Sequence, residues 1–207
     1  LQRRVETEHG DFVGPVRDPA VACGEAAFGS QDEAGDLFLE PVDEVVITTD
    51  EIAATQPDLI GLQEVSRWLQ ISTTTGQPVG QIDFLSLLQS ELAARGLDYD
   101  VAAVSNNANL GPFPVVCDFT TFELCSYVIA LQDRDVILVK DDPRITWSNP
   151  RDGSFTAQQY FQPPFPNTPP ISFDRGWASV DVTVDGKRVR FVNSHFEAFS
   201  SDLALAQ

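Results

Sequence analysis

A chain of 207 residues, 43% of them hydrophobic, can bury one sizeable core, so a single domain is the starting expectation. Its 31 acidic residues against 13 basic ones leave a formal charge of −18, and no Lys/Arg cluster is present to track a phosphate backbone, which argues against strong nonspecific binding of nucleic acid. No apolar run approaches the roughly 20 residues of a transmembrane helix, and two histidines without a CxxC pair argue against a structural zinc site.

Residues 1–42 are rich in Gly, Pro and acids, carry no sustained period and read as an irregular N-terminal segment, with the domain proper at 43–207. From Asp43, the positions Val45, Val46, Thr49, Ile52 and Ala53 keep helical spacing, and Pro57 ends that helix by Gln56. Thr48 and Glu51 have capping-box spacing and allow a later start. LIGLQEV, directly after the proline, reads as a strand buried on both faces. The polar LQISTTTGQPVG stretch reads as turns. Phe84, Leu87, Leu88 and Leu92 then mark a second amphipathic helix closed by Gly96, and YDVAAV follows as a strand. Residues 105–125 read as a long connection, functional or held by a disulfide. Tyr127–Leu131 and Asp135–Lys140 read as a hairpin around the polar QDR, and 141–172 as a proline-heavy loop. The last pair has the clearest pattern: WASVDVTV alternates, Asp185-Gly186 supplies a two-residue turn, and KRVRFVNSHF returns.

Cys117 and Cys125 are spaced to close a short loop, with Cys23 left over; such a bridge suits an oxidising compartment and favours an extracytoplasmic location over the cytoplasm. The opening Leu1 and the absence of methionine point to a processed form or a fragment.

Two residues draw attention on physical grounds. Glu64 ends an apolar run, where an unpaired carboxylate costs several kcal/mol, so it calls for a cation, a basic partner such as Arg67, or water at the strand end. A hard divalent ion answers that need, because magnesium prefers carboxylate oxygens and uses few protein ligands. His195 shares one strand face with Phe191 and Asn193, a composition that is not purely a core face. Rival chemistries find no support: no G-x-S-x-G elbow, P-loop or G-x-G-x-x-G occurs.

PDLIGLQEV and RGWASVDVTVDGKRVRFVNSHFEAF resemble two signature segments of the endonuclease/exonuclease/phosphatase superfamily, which includes deoxyribonuclease I-like nucleases, neutral sphingomyelinases and inositol polyphosphate phosphatases. DFLSLLQSELAARGLDYDVAAV and LQDRDVILVKDD are similar to what lies between those motifs in bacterial members, and the resemblance runs from about Asp50 to the C-terminus. It implies an α/β fold, a sandwich of two packed mixed β-sheets with flanking helices, incomplete at its C-terminus. It further implies Glu64 as a ligand of Mg (or Mn), His195 as a catalytic residue facing the scissile phosphate, and a carboxylate orienting it, for which Asp133 and Asp135, two apart and so on one strand face, are the candidates. The expected substrate is a phosphorylated small molecule, a lipid headgroup or a short nucleic acid. The family's first strand with its asparagine, its GDFN-like segment and its SDH-like segment are not found in these residues, so a Mg-dependent phosphoric ester hydrolase impaired in this form is the expectation. The rival expectations are a non-catalytic binding module that keeps the fold, and an unrelated secreted α/β domain.

Overall fold

The structure, a computed structural model, describes residues 41–118, 120–162, 170–197 and 206; His9 and Cys23 lie outside them. Among the described residues the chain is mostly β-sheet with two helices, within the compact unit Val42–Gln207. Helix α1 (Pro41–Thr55) leads into β1 (Leu59–Leu62), then β2 (Arg67–Ser72) and β3 (Pro78–Asp83). Helix α2 (Phe84–Ala94) precedes two long strands, β4 (Tyr99–Asp118) and β5 (Glu123–Lys140). The rest is β6 (Ile145–Ser154), β7 (Gln159–Phe161), β8 (Ile171–Phe173), β9 (Gly176–Val184) and β10 (Lys187–Ser194).

Strand β5 organises the first sheet. Along one edge its C-terminal half pairs with β1 and its N-terminal half with β2, β3 continues beyond β2, and β4 runs along the other edge. A second sheet has the order β10-β9-β6, and β7 and β8 form a separate small ribbon. Every recorded pairing is antiparallel, so the expected mixed sheets are corrected to antiparallel ones.

The layers follow from the two-residue period of β5. Val136 and Leu138 face Val45 and Ile52 of α1 and Leu88 and Leu92 of α2. Ile137 and Val139 face the other way, against Ala178, Val180 and Val182 of β9, with Ala102 and Ala103 of β4 in the same cluster. All four of these β5 residues are 0% exposed, so here the first sheet is covered on both faces, by helices on one side and by the second sheet on the other.

Several sequence-based boundaries are corrected. Residues 69–80 are not mere turns but belong to the β2–β3 hairpin, and 141–172 contains β6, β7 and β8. QDR is not a turn: it lies inside the continuous β5. The supposed loop 105–125 is mostly the rest of β4 and the start of β5, closed by the Cys117–Cys125 disulfide. Register shifts interrupt the β4–β5 ladder five times, between Val101 and Ala103 and on to Asp118. The Asn, Gly and Pro residues that read as turns are absorbed by these irregularities. Strand β1 is only partly buried rather than buried on both faces. The final hairpin follows its pattern: Asp185 and Gly186 both have positive φ, 50° and 78°, as a two-residue hairpin turn requires.

Candidate functional site

The same period that buries the β5 core places Asp133 and Asp135 on the face toward the second sheet, just beyond the apolar stretch. Arg134, between them, points to the helix side, where its Nη2 lies 2.7 Å from Oδ1 of Asp83 and its Nε donates to the Val65 carbonyl at 3.0 Å. Asp83 is also the N-cap of α2 and accepts from the Leu85 and Ser86 amides.

Glu64 is not the last residue of a strand. It lies in the turn after β1 with φ 57°, a left-handed conformation that costs a non-glycine residue about 1 kcal/mol or more. The neighbouring bonds hold it there: the Val65 amide donates to the Arg134 carbonyl at 2.8 Å and the Ser66 amide to the Glu64 carbonyl at 2.7 Å. The turn aims the carboxylate outward, and the Glu64 side chain is 62% exposed.

His195 directly follows β10. Two residues earlier Asn193, on the same strand face, donates through Nδ2 to the Leu62 carbonyl at 2.7 Å and the Val136 carbonyl at 3.2 Å, tying β10 to β1 and β5. That contact needs a glycine opposite: a Cβ on Gly61 would stand 3.0 Å from Asn193 Oδ1. The Gln63 side chain adds a hydrogen bond to the Ser194 carbonyl. The ends of the two sheets are thus stitched together where Glu64 and His195 emerge.

Arg175, just before β9, sits among them with 9% of its side chain exposed. Its amide donates to Gln158 Oε1 at 2.9 Å. Its Nη1 lies 3.1 Å from His195 Nδ1, 3.6 Å from Asp133 Oδ2 and 3.9 Å from Glu64 Oε1, and its Nε lies 3.6 Å from Glu197 Oε2. Glu64 Oε1 is 3.8 Å from His195 Nδ1, and the Glu64 amide is 3.4 Å from Asp135 Oδ1. A guanidinium has donors only, so Nδ1 of His195 is the acceptor and the ring proton resides on Nε2.

Burial pushes the Asp133 carboxyl above the usual range; the charges of Asp135 and Glu64 push the same way, and Arg175 and His195 oppose them. Asp135, fully buried, is raised by its burial, with the Asn107 amide and His195 opposing. Asn107 faces Asp135 without closing a regular hydrogen bond: its Nδ2, Asp133 Oδ1 and Asp135 Oδ2 are all shielded and unbonded.

Glu64, His195, Asp133 and Asp135, the four residues singled out in the sequence, therefore come together. Glu64 turns to Arg175 and His195 rather than to Arg67. Neither aspartate is recorded in a hydrogen bond with His195; the group on Nδ1 is Arg175. The sequence reading placed Asn193 on the His195 strand face without giving it a role, and it missed Arg175 and Glu197. Arg175 and Glu197 stood in view in the RGWASV and NSHFEA segments, but no local period marks a residue just outside a strand.

Among the described residues no group of three or more His, Cys, Asp or Glu is arranged to hold a metal ion. An exposed carboxylate with buried, unbonded carboxylate oxygens behind it fits an ion held by one protein ligand and water, the habit of magnesium, and not a cage of several carboxylates. Compared with family models, curated proteins and solved structures, the chain matches none.

Proposed function

We propose that this chain carries the active-site core of a divalent-metal-dependent phosphoesterase of the endonuclease/exonuclease/phosphatase type, with the two-sheet sandwich of deoxyribonuclease I-like proteins. The observation that carries the reading is the 3.8 Å approach of Glu64 Oε1 to His195 Nδ1 at the joined ends of two sheets. A carboxylate for a hard cation and an imidazole N–H able to hydrogen-bond a phosphate are two groups that phosphoester cleavage uses side by side.

In this reading Glu64 is the residue that would hold Mg²⁺ or Mn²⁺, and the ion supplies charge stabilisation at the phosphoryl oxygens. Arg175 fixes the His195 ring through Nδ1, so that Nε2–H points its proton toward the phosphate. As water attacks phosphorus and the P–O bond to the leaving group breaks, Nε2–H keeps its proton and hydrogen-bonds the developing negative charge. The attacking water gives up its proton to solvent, and the departing oxygen takes one from solvent. Buried Asp133 and Glu197 keep Arg175 from leaving this position. With a net charge of −18, a small phosphodiester, a phosphorylated metabolite or a lipid headgroup is a better substrate than a long nucleic acid.

The test is hydrolysis of bis(p-nitrophenyl) phosphate with and without Mg²⁺. Turnover that needs the metal and falls at least about a hundredfold in Glu64→Ala and in His195→Ala supports the reading. Turnover untouched by both substitutions sinks it. A second reading, a binding module that keeps the fold without catalysis, draws on the lack of a three-ligand metal group among the described residues. It predicts no turnover and no stabilisation by Mg²⁺.

A further inference from the structure

The chain has 31 acidic residues to 13 basic ones, so a half-buried arginine without an acidic partner is out of keeping with the rest of the molecule. Arg95, Arg134, Arg144, Arg175, Arg188 and Arg190 each have a carboxylate within 4.0 Å, and Arg151, which has none recorded, is exposed to water. Arg67, at the start of β2, has none among the described residues. Its Nη2 donates to the neutral Gln81 side chain at 3.0 Å, and its Nε is shielded from solvent without an acceptor. Asp83, its cross-strand neighbour, is taken up by Arg134 and by the N-terminus of α2.

Arg67 borders a cavity of about 260 Å³ on the first sheet, remote in sequence from Glu64's partners Arg175 and His195. Register explains its polar wall. Arg67 of β2 stands opposite Gln132 of β5, and Gln132 stands opposite Asn109 of β4, so a guanidinium and two amides form one row across three strands. Irregularities in β4 on both sides of this row, between Asn106 and Asn109 and between Leu110 and Phe113, open the ladder there. Leu69, Leu110, Gly111, Ala130 and Leu131 supply the apolar remainder of the lining.

We propose that this cavity binds the carboxylate end of a small, mostly apolar organic acid, with Arg67 as the charged anchor and Gln132 and Asn109 as neutral donors. One guanidinium matches one negative charge, and its planar fork matches a carboxylate. A phosphate dianion would leave a charge unmatched in a protein already at −18. The volume suits a body of about the size of benzoate, smaller than the usual drug-sized pocket of roughly 300–1,000 Å³.

Titration of the 207-residue chain with benzoate, followed by backbone amide shifts, tests the proposal. Saturable shifts centred on Leu69, Ala130 and Leu131 are expected, with benzamide binding at least about tenfold more weakly, because a hydrogen bond to a charged group is lost. Arg67→Gln should weaken benzoate by a similar factor, and His195→Ala should not change it. Absence of saturation, equal binding of benzamide, tighter binding of inorganic phosphate, or an Arg67→Gln chain that is folded and binds normally overturns it. If Arg67→Gln does not fold, Gln132→Ala takes its place, with weaker benzoate binding expected and unchanged binding counting against the site.

Discussion

Arg175 Nη1 and His195 Nδ1 lie 3.1 Å apart, and because arginine can only donate, this contact assigns the histidine its tautomer. The pair joins the residue before β9 to the residue after β10, two strands of one hairpin, and the register that sets Ser194 opposite Trp177 brings them together. In Arg175→Gln we expect a mixture of His195 tautomers in ¹⁵N spectra and a turnover about tenfold to a hundredfold lower, the usual cost of losing a group that orients a working side chain. A single Nε2–H tautomer surviving in that variant would show that Arg175 does not set it.

Removing the charge altogether is a harsher change. Arg175, Asp133 and Glu197 are all nearly or fully buried, and deleting one partner leaves carboxylates without compensation. Arg175→Met is expected to lower stability by about 3–5 kcal/mol, read as a drop in the urea midpoint. A loss under about 1 kcal/mol would mean that water reaches this cluster.

Glu64 sets function against stability. Its left-handed backbone suits glycine better than glutamate, so Glu64→Gly is expected to raise stability by about 1 kcal/mol while removing any rise in melting temperature caused by Mg²⁺. Glu64→Gln keeps the backbone penalty and should also lose the response to Mg²⁺. Equal stabilisation of wild type and Glu64→Gln by Mg²⁺ would remove Glu64 from the metal site.

The pH dependence has two opposite contributions. The Asp133 and Asp135 carboxyls are raised, mainly by burial, so above the ordinary aspartate value of about 3.9 the native state holds more protons than the unfolded chain. Their contribution is greatest in acid and is lost as pH rises through the raised values. Asp135→Asn should flatten that decline in urea midpoints measured upward from about pH 4. Asp83 behaves in reverse: burial alone would raise it, but Arg134 and the helix amides outweigh burial and hold it low. Its contribution is present above about pH 4 and fades in acid, so Asp83→Asn should flatten the acid limb.

The Cys117–Cys125 bridge spans a sequence separation of 8 at the end of the long β4–β5 hairpin. Chain-entropy arguments give about 2.5 kcal/mol for a loop of this size. The double Cys→Ser variant is expected to lose up to that amount, with faster amide exchange confined to the hairpin end. Faster exchange at Val136–Val139 instead would tie the bridge to the core.

The sequence by itself determined what is local. The 3.6-residue period and Pro57 mark α1, Leu88 and Leu92 mark the buried face of α2, and alternation with Asp185-Gly186 defines the β9–β10 hairpin. Period 2 also placed Asp133 and Asp135 on one face although the segment around them was misread as a turn. What only the tertiary structure decided is non-local. Glycine, proline and asparagine in β4 end a strand in most contexts, and here intermittent pairing along the eighteen-residue β5 carries the strand through them. Arg175 lies outside any period, so no local pattern could assign its partners. Its place among four acidic residues and one imidazole arises from the packing of one sheet's end against the other's, a contact between residues far apart in the chain.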